Sequence, residues 1–216
     1  MPTKTLSVTM ANYNHSAHLE IALKAICTQS LPPDEVLVVD DASTDNSVEI
    51  IQNIAAQFPF VHLIRNSVNQ GPSASQNKAL NMVTGEYLYI ASADDLILPG
   101  FFEKSIALLK KFPQASLSCA DSREINIETN DTHDHSRKWL STPGYLSPKE
   151  LAYINHNGEQ CAIGSTDTIF RLSLLPAPIF HNELERFTDW FLCETLAFRY
   201  GCCYTPETLA VVHTKK

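Results

Sequence analysis

The sequence predicts an α/β protein, an open and mostly parallel sheet flanked by helices, formed by a single domain of 216 residues. Three observations carry this. Over the first 120 or so residues, short runs of continuous apolar residues alternate with helical patterns, as parallel βαβ units require. The composition, 44% hydrophobic and 19% charged, is that of a globular chain and excludes a disordered or collagen-like one. A chain of this length buries about 70% of the surface that it exposes when unfolded, so it needs no covalent staples.

Element by element, Leu6–Met10 is an apolar run that reads as a first strand. The pattern from about Ala17 to Gln29 is helical, because Leu19, Ala22, Leu23 and Ile26 recur at three- and four-residue spacing. Pro32 and Pro33 stop that helix, and Glu35–Asp40 (EVLVVD) reads as a strand buried on both faces. A helix over Ser47–Gln57 follows, with Asp45 or Asn46 as its N-cap. Then come strand Val61–Arg65, helix Pro72–Val83, strand Glu86–Ala91, helix Pro99–Phe112 and strand Ser116–Ala120. Periodicity fades over Ser122–Tyr145, which reads as a polar loop or an irregular connection. Helical patterns return at Pro148–Asn155 and Thr188–Tyr200, with strand-like runs at Ala162–Arg171 and Leu209–His213. This second part predicts a smaller lobe on the same sheet.

Charge and composition exclude some partners. Lys and Arg number 16 against 24 Asp and Glu, for a formal charge of -8. Such a surface repels a phosphate backbone or an anionic membrane, so nucleic acid is not an expected partner. No run approaches the ~18 apolar residues of a membrane span, and the amino-terminal residues show no signal-peptide pattern. The six cysteines show neither CxxC spacing nor a short disulfide framework, and they predict reduced, mostly buried thiols of a cytoplasmic protein.

In an open parallel sheet, ligands bind beyond the carboxyl ends of the strands, near the switch in strand order. The first strand ends in Ala11-Asn12-Tyr13-Asn14, the second in Asp40-Asp41-Ala42-Ser43-Thr44-Asp45 and the fourth in Ser92-Ala93-Asp94-Asp95. Two of these ends carry paired acids, which repel one another unless a cation or ligand donors intervene. Paired carboxylates suit Mg²⁺ or Mn²⁺. Taken singly, Asp40, Asp41 and Asp45 equally suit turns and helix caps. The Asp94–Asp95 pair is harder to read that way, because Leu-Ile-Leu follows it and offers no solvated face.

The succession LSVTMANYN, EVLVVDDASTDNS, RNSVNQGPSASQNKAL, GEYLYIASADDLILPGF and FTDWFLCETLAFRYG resembles the family 2 inverting glycosyltransferases over nearly the whole chain. The resemblance implies the GT-A fold, a Rossmann-like open sheet with a smaller acceptor-side lobe. It implies a nucleotide-sugar-binding half over residues 1–121, and an acceptor-binding half with the catalytic base over residues 122–216. Tyr13 would lie along the nucleotide base. Asp41 would accept a hydrogen bond from the base N–H, which fits uracil or thymine and so a UDP-linked donor. The segment from Asn69-Gln70-Gly71 through Asn77 would close over that donor, with Gly71 and Asn77 as contacts. Gln76 stands where many members have Arg. Asp95 would bind the divalent cation, Mn²⁺ or Mg²⁺, and Asp94 would face the ribose and sugar. Ser92 replaces the first acid of the usual acid-x-acid pattern. Asp189 matches the catalytic aspartate at a helix start, amid Phe187, Trp190 and Phe191, with Glu183 and Glu185 as fallback bases. His213 falls where relatives often place a histidine near the metal. A glycan, glycolipid or protein hydroxyl would be the acceptor.

Other features stay plain. Thr188 and Asp189 also suit a helix cap, and His133-Asp134-His135 suits a solvated loop as well as a metal pair. Trp139 and Tyr145 lie where an acceptor sugar could stack, although Trp139 also fits a core. Three other readings compete with this one. A nucleotide-sugar-binding module without turnover is favoured by Gln76 and Ser92. A dinucleotide-dependent dehydrogenase needs G-x-G-x-x-G after the first strand, and Ala11–Ser16 has no glycine. An aspartyl-phosphate hydrolase needs an acid at the end of that strand, and none is there.

Overall fold

The computed structural model describes residues 5–158, 162–176, 179 and 187–215. Ten strands share one sheet: β1 (Leu6–Asn12), β2 (Glu35–Asp40), β3 (Val61–Arg65), β4 (Tyr87–Ala91), β5 (Leu96–Ile97), β6 (Leu117–Asn126), β7 (Thr132–His135), β8 (Gly144–Leu146), β9 (Thr168–Arg171) and β10 (Cys202–Thr214). Their order is β3-β2-β1-β4-β9-β6-β10-β5, with β7 on β6 and β8 on β10. β1 pairs in parallel with both β2 and β4, and β2 with β3. β9 runs antiparallel between β4 and β6, and β10 is parallel to β6. The order reverses at β1: the chain leaves it for β2 and β3, then returns to its other side as β4. That reversal opens a crevice beyond the carboxyl ends of β1, β2 and β4.

Helices cover both faces. Leu6, Val8 and Met10 of β1 point into a core with Leu19, Leu23 and Ile26 of α1 (Ser16–Cys27), Ile51 and Ile54 of α2 (Ser47–Gln57), and Phe101 and Phe102 of α4 (Phe101–Lys111). The opposite face is covered by α3 (Pro72–Leu80), α5 (Pro148–His156) and α6 (Thr188–Tyr200), whose Leu151, Leu192 and Leu196 pack with Leu88, Leu117 and Phe170. The strand period of two explains the division, since alternate β1 residues Ser7 and Thr9 face the other way. Burying each large apolar side chain contributes about 1.5–3 kcal/mol.

Several sequence expectations need correction. The stretch Ser122–Tyr145 is not a loop: β6 continues to Asn126, turns, and pairs back through β7, while β8 follows. β7 is exposed along its length, so its backbone ladder forms without any apolar alternation to announce it. The run Ala162–Arg171 is strand only from Thr168, whereas β10 is far longer than Leu209–His213 and bends through irregular pairing between Thr205 and Ala210. Trp139 and Tyr145 are not free to stack on a sugar. Trp139 is buried against Tyr204, and Tyr145 stacks on Phe112 while donating to the Tyr200 carbonyl. Helix ends otherwise shift by a few residues.

Cys27, Cys119, Cys193, Cys202 and Cys203 are free and buried, and Cys161 lies outside the described residues. Burial pushes the Cys27 and Cys203 thiols up to about 12, so neither is a thiolate at neutral pH. Among the described residues, no helix is long and apolar enough to cross a membrane.

Candidate active site

The crevice is built from the loop that ends each strand. After β2, Asp40 is fully buried and accepts from Asn12 Nδ2 at 2.9 Å and from the Ser43 N–H at 3.1 Å. It therefore clamps the β1 and β2 loops to each other. Asn14, at φ 56°, accepts from the Thr44 N–H at 2.8 Å and extends that clamp. Asp45 accepts from the N–H groups of Ser16 and Ser47, capping α1 and α2 together. Burial pushes its carboxyl up, but the Ser47 and Ser16 hydrogen bonds prevail and hold it well below the ordinary carboxylate value. Asn46 takes the N-cap position of α2 with no side-chain cap, so Asp45 does that work.

Asp41 has a different set of partners. It is 2% exposed and accepts from Asn66 Nδ2 at 2.7 Å, the Gln70 N–H at 2.9 Å and the Gly71 N–H at 2.8 Å. Asn66 in turn receives Lys78 Nζ at 2.7 Å. Burial raises the Asp41 carboxyl, yet the bonds from Asn66, Gln70, Ser75 and Gly71 together hold it below the usual value. Gly71, at φ 87° and ψ 160°, starts α3 in a conformation open essentially to glycine alone. Asp41, Tyr13, His15, Asn69 and Pro72 line a cavity of about 250 Å³, with Tyr13 44% exposed along its wall. Asn77 is not in that group. It faces Leu175 and Pro176 across a separate cavity. Gln76 is buried and donates to Thr9 Oγ1 beneath β1, so it offers no contact to the crevice.

Beyond β4, Ser92 Oγ donates to Asp94 Oδ1 at 2.6 Å, and His15 Nδ1 lies 3.9 Å from Asp94 Oδ2. Ser92 thus orients the acid that follows it. Asp95 accepts from the His213 N–H at 2.9 Å and from Thr166 Oγ1 at 2.8 Å. Burial pushes its carboxyl up, and the bonds from His213 and Thr166 do not fully offset that. The His213 ring also hydrogen-bonds the Asp94 carbonyl, which holds the imidazole beside both acids.

A second cavity, of about 500 Å³, adjoins Asp95 through Thr166. Ser165, Thr166, Asp189, Trp190, His133 and His135 are among its lining residues. Asp189 opens α6 and accepts from Ser165 Oγ at 3.1 Å. Phe187, Trp190 and Phe191 are each about half exposed, so they border Asp189 without sealing it from water. Glu183 and Glu185 lie outside the described residues. The structure thus brings Tyr13 and Asp41 together with Gly71, sets Asp94 beside Asp95, and links Asp189 to Asp95 only through the adjacent Ser165 and Thr166. Sequence reasoning missed Asn66, Ser165 and Thr166. The polar Gly164-Ser165-Thr166-Asp167, interrupting an apolar run, was the signal for the last two.

Residues 7–171 match the family described as Glycosyl transferase family 2. The chain belongs to that family. As a family 2 member it is 26% identical over 179 residues to the GalNAc(5)-diNAcBac-PP-undecaprenol beta-1,3-glucosyltransferase of Campylobacter jejuni, matching 82% of this chain and 55% of that protein. It is 34% identical over 101 residues to a glycosyltransferase of Escherichia coli (strain K12), matching 47% of this chain and 29% of that one. The crystal structure of S. aureus TarS 1-349 superposes with a TM-score of 0.77 at 19% identity, covering 97% of this chain and 60% of that 1-349 chain. That likeness establishes a TarS-like GT-A fold. The chain spans about half the length, or less, of these two curated relatives.

Proposed function

We propose that the chain is an inverting glycosyltransferase that moves a sugar from a nucleoside-diphosphate donor, UDP-linked, to an acceptor hydroxyl. One observation carries the reading. The neighbouring residues Ser165 and Thr166 hydrogen-bond Asp189 and Asp95 respectively, so an acid beside the nucleotide crevice and an acid in the second cavity are held to one short segment. Two carboxylates set apart in this way suit a reaction with a leaving group on one side and a proton to be taken on the other.

Each residue has a role in this reading. Tyr13 lies along the base and Asp41 accepts its N–H, which selects a pyrimidine with a ring donor. Support comes from TarS, whose crystal structures include complexes with UDP and with UDP-GlcNAc. Asp94 faces the ribose and sugar. Asp95, with His213 beside it, is given the role of holding a hard divalent cation, Mn²⁺ or Mg²⁺: it is a partly buried carboxylate, and although no group of three or more such ligands gathers among the described residues, these ions are commonly held by one or two carboxylates plus substrate phosphates. When bound, the ion would stabilise charge on the departing diphosphate as a Lewis acid. Asp189 takes the acceptor proton as the hydroxyl oxygen bonds to the anomeric carbon and the bond to the diphosphate oxygen breaks. The electron pair of that bond leaves with the diphosphate. We place the acceptor in the 500 Å³ cavity. The glycolipid named for the Campylobacter relative puts a glycan or glycolipid first among acceptors.

The test is release of UDP from UDP-GlcNAc and UDP-glucose, in Mn²⁺, in Mg²⁺ and in EDTA. We expect release that EDTA abolishes. Release unchanged in EDTA would remove the role given to Asp95, and tight UDP binding without turnover on any acceptor would leave a binding module instead.

A further inference from the structure

The segment between Ala162 and Thr168 makes no regular structure, yet it is held more firmly than a surface loop requires. Arg137 reaches it from the stretch after β7, with its side chain only 8% exposed. Its Nη2 donates to Asp167 Oδ2 at 2.9 Å and its Nε to the Ala162 carbonyl at 2.9 Å, so one guanidinium grips both ends of the segment. A third donor, Nη1, reaches the Ala120 carbonyl on β6. The Ala120 N–H returns a bond to the Asp167 carbonyl at 3.0 Å. Within the segment, Thr168 Oγ1 donates to the Gly164 carbonyl at 2.7 Å and the Thr168 N–H to the Ser165 carbonyl at 3.1 Å.

Arg137 is itself immobilised. Its N–H donates to Asp121 Oδ1 at 3.0 Å, where the Tyr204 hydroxyl also donates at 2.8 Å. Its guanidinium lies over Trp139 at 5.6 Å. A buried ion pair is weak evidence for stability, since an apolar pair of similar volume commonly serves as well. What the planar fork supplies is geometry: three donors fixed in one plane set the position and angle of what they hold. The two side chains in the middle of the held segment are Ser165, bonded to Asp189, and Thr166, bonded to Asp95.

We propose that Ser165–Thr166 is a positioning element that couples the cation-motif acid Asp95 to the acceptor-side acid Asp189, and that Arg137 with Asp167 fixes it in place. The proposal rests on the glycosyl-transfer reading above. Neither hydroxyl touches the reacting atoms. Each orients a carboxylate, and because the two are adjacent, neither carboxylate shifts without the other. Misplacing a reacting group by about 1 Å can cost roughly 100-fold in rate, which is the scale on which such a coupling acts.

The experiment uses the whole chain with Mn²⁺, UDP and the two UDP-sugars as probes, water serving as acceptor. Calorimetry of UDP binding across Mn²⁺ concentrations reads the Asp95 side, and UDP release reads the Asp189 side. For Thr166→Val we expect the Mn²⁺ requirement to rise roughly tenfold or more, the usual effect of losing a partner that orients a metal ligand. UDP binding in EDTA should stay unchanged, and Thr166→Ser should restore the wild-type requirement. For Ser165→Ala we expect Mn²⁺-dependent UDP binding to persist while release slows roughly 10- to 100-fold. The double variant Arg137→Met with Asp167→Leu removes the Arg137–Asp167 ion pair as a unit and should show both defects with an unchanged circular dichroism spectrum. Wild-type values for Thr166→Val and Ser165→Ala would overturn the coupling and leave the function intact. So would a Thr166→Val defect that persists in EDTA or is not rescued by Ser. Failure of the wild type to bind UDP in Mn²⁺ would overturn the function and the coupling together, and a wild type that binds UDP but releases none would overturn the Ser165 half.

Discussion

Asp189 and Asp41 are both carboxylates near a cavity, but their surroundings give them opposite work. Asp189 accepts from Ser165 Oγ and is partly exposed, which suits the proton-accepting role proposed for it. Asp189→Asn keeps the shape and removes that capacity. Turnover should fall by roughly 10²–10⁴-fold, as for loss of a general base, while UDP affinity measured by calorimetry stays within error. Asp41 already accepts from Asn66, Gln70 and Gly71, so its charge is part of the fold, while a carboxylate's roughly four acceptor sites leave room for the base N–H proposed for it. Asp41→Asn turns an NH₂ group toward the donors and should cost about 2 kcal/mol or more in urea unfolding at pH 7. The pH dependence has a definite sign. Because the folded-state carboxyl is held below its ordinary value, its contribution is complete above about pH 4 and fades as pH falls through the folded value. The gap between wild type and variant should therefore close in acid, and a gap that widened would contradict the hydrogen-bond account.

Elements are where the sequence was most and least legible. Leu19, Ala22, Leu23 and Ile26 announced α1 because one face of that helix meets a continuous core, and all four are buried. EVLVVD announced β2 because a central parallel strand is apolar on both faces. By contrast β7, with His133, Asp134 and His135 all exposed, is held by backbone bonds to β6 and a bidentate Arg123–Asp134 pair, neither of which leaves a hydrophobic period to read. Trp139 left its role open for a related reason: an aromatic residue in a polar stretch suits a stacking surface, a lid anchor or the core, and here it closes the core under Arg137. At the site, the acids at the strand ends were visible, while Ser165 and Thr166 matter through partners some 24 and 71 residues away in the chain. The turn into α3 gives a prediction at this scale. A Cβ on Gly71 meets open space, so Gly71→Ala is opposed by backbone conformation alone. It should cost about 1–3 kcal/mol and weaken UDP binding, because the Gly71 N–H that braces Asp41 moves with the strained backbone. An unchanged melting temperature would show that the turn relaxes freely.

On the scale of the whole molecule, the crevice joins parts of the sheet that are otherwise far apart. The Tyr13 and Asp41 loops stand at the β1–β2 side, whereas Asp95 is tied through His213 to β10 and through Thr166 to the stretch before β9. A donor bridging these parts, as proposed, would couple its binding to the stability of the entire fold. Asp95 sharpens the expectation, since burial raises its carboxyl and a cation there would offset that burden. Ligand present at 100 times its dissociation constant stabilises a folded protein by about 2.7 kcal/mol. In a domain of this size each kcal/mol moves the melting temperature by about 2–4 °C. UDP with Mn²⁺ should therefore raise it by roughly 5–10 °C in a thermal scan. Most of the rise should vanish in EDTA and in Asp95→Asn, because the acid and the diphosphate then lack the ion between them. Mn²⁺ alone should give much less than the pair, as a single carboxylate holds such an ion only weakly without substrate oxygens. An equal shift from UDP in EDTA would mean that the base cavity beside Tyr13 binds the nucleotide without help from the β4 acids, and would separate the two ends of the crevice in function as well as in space.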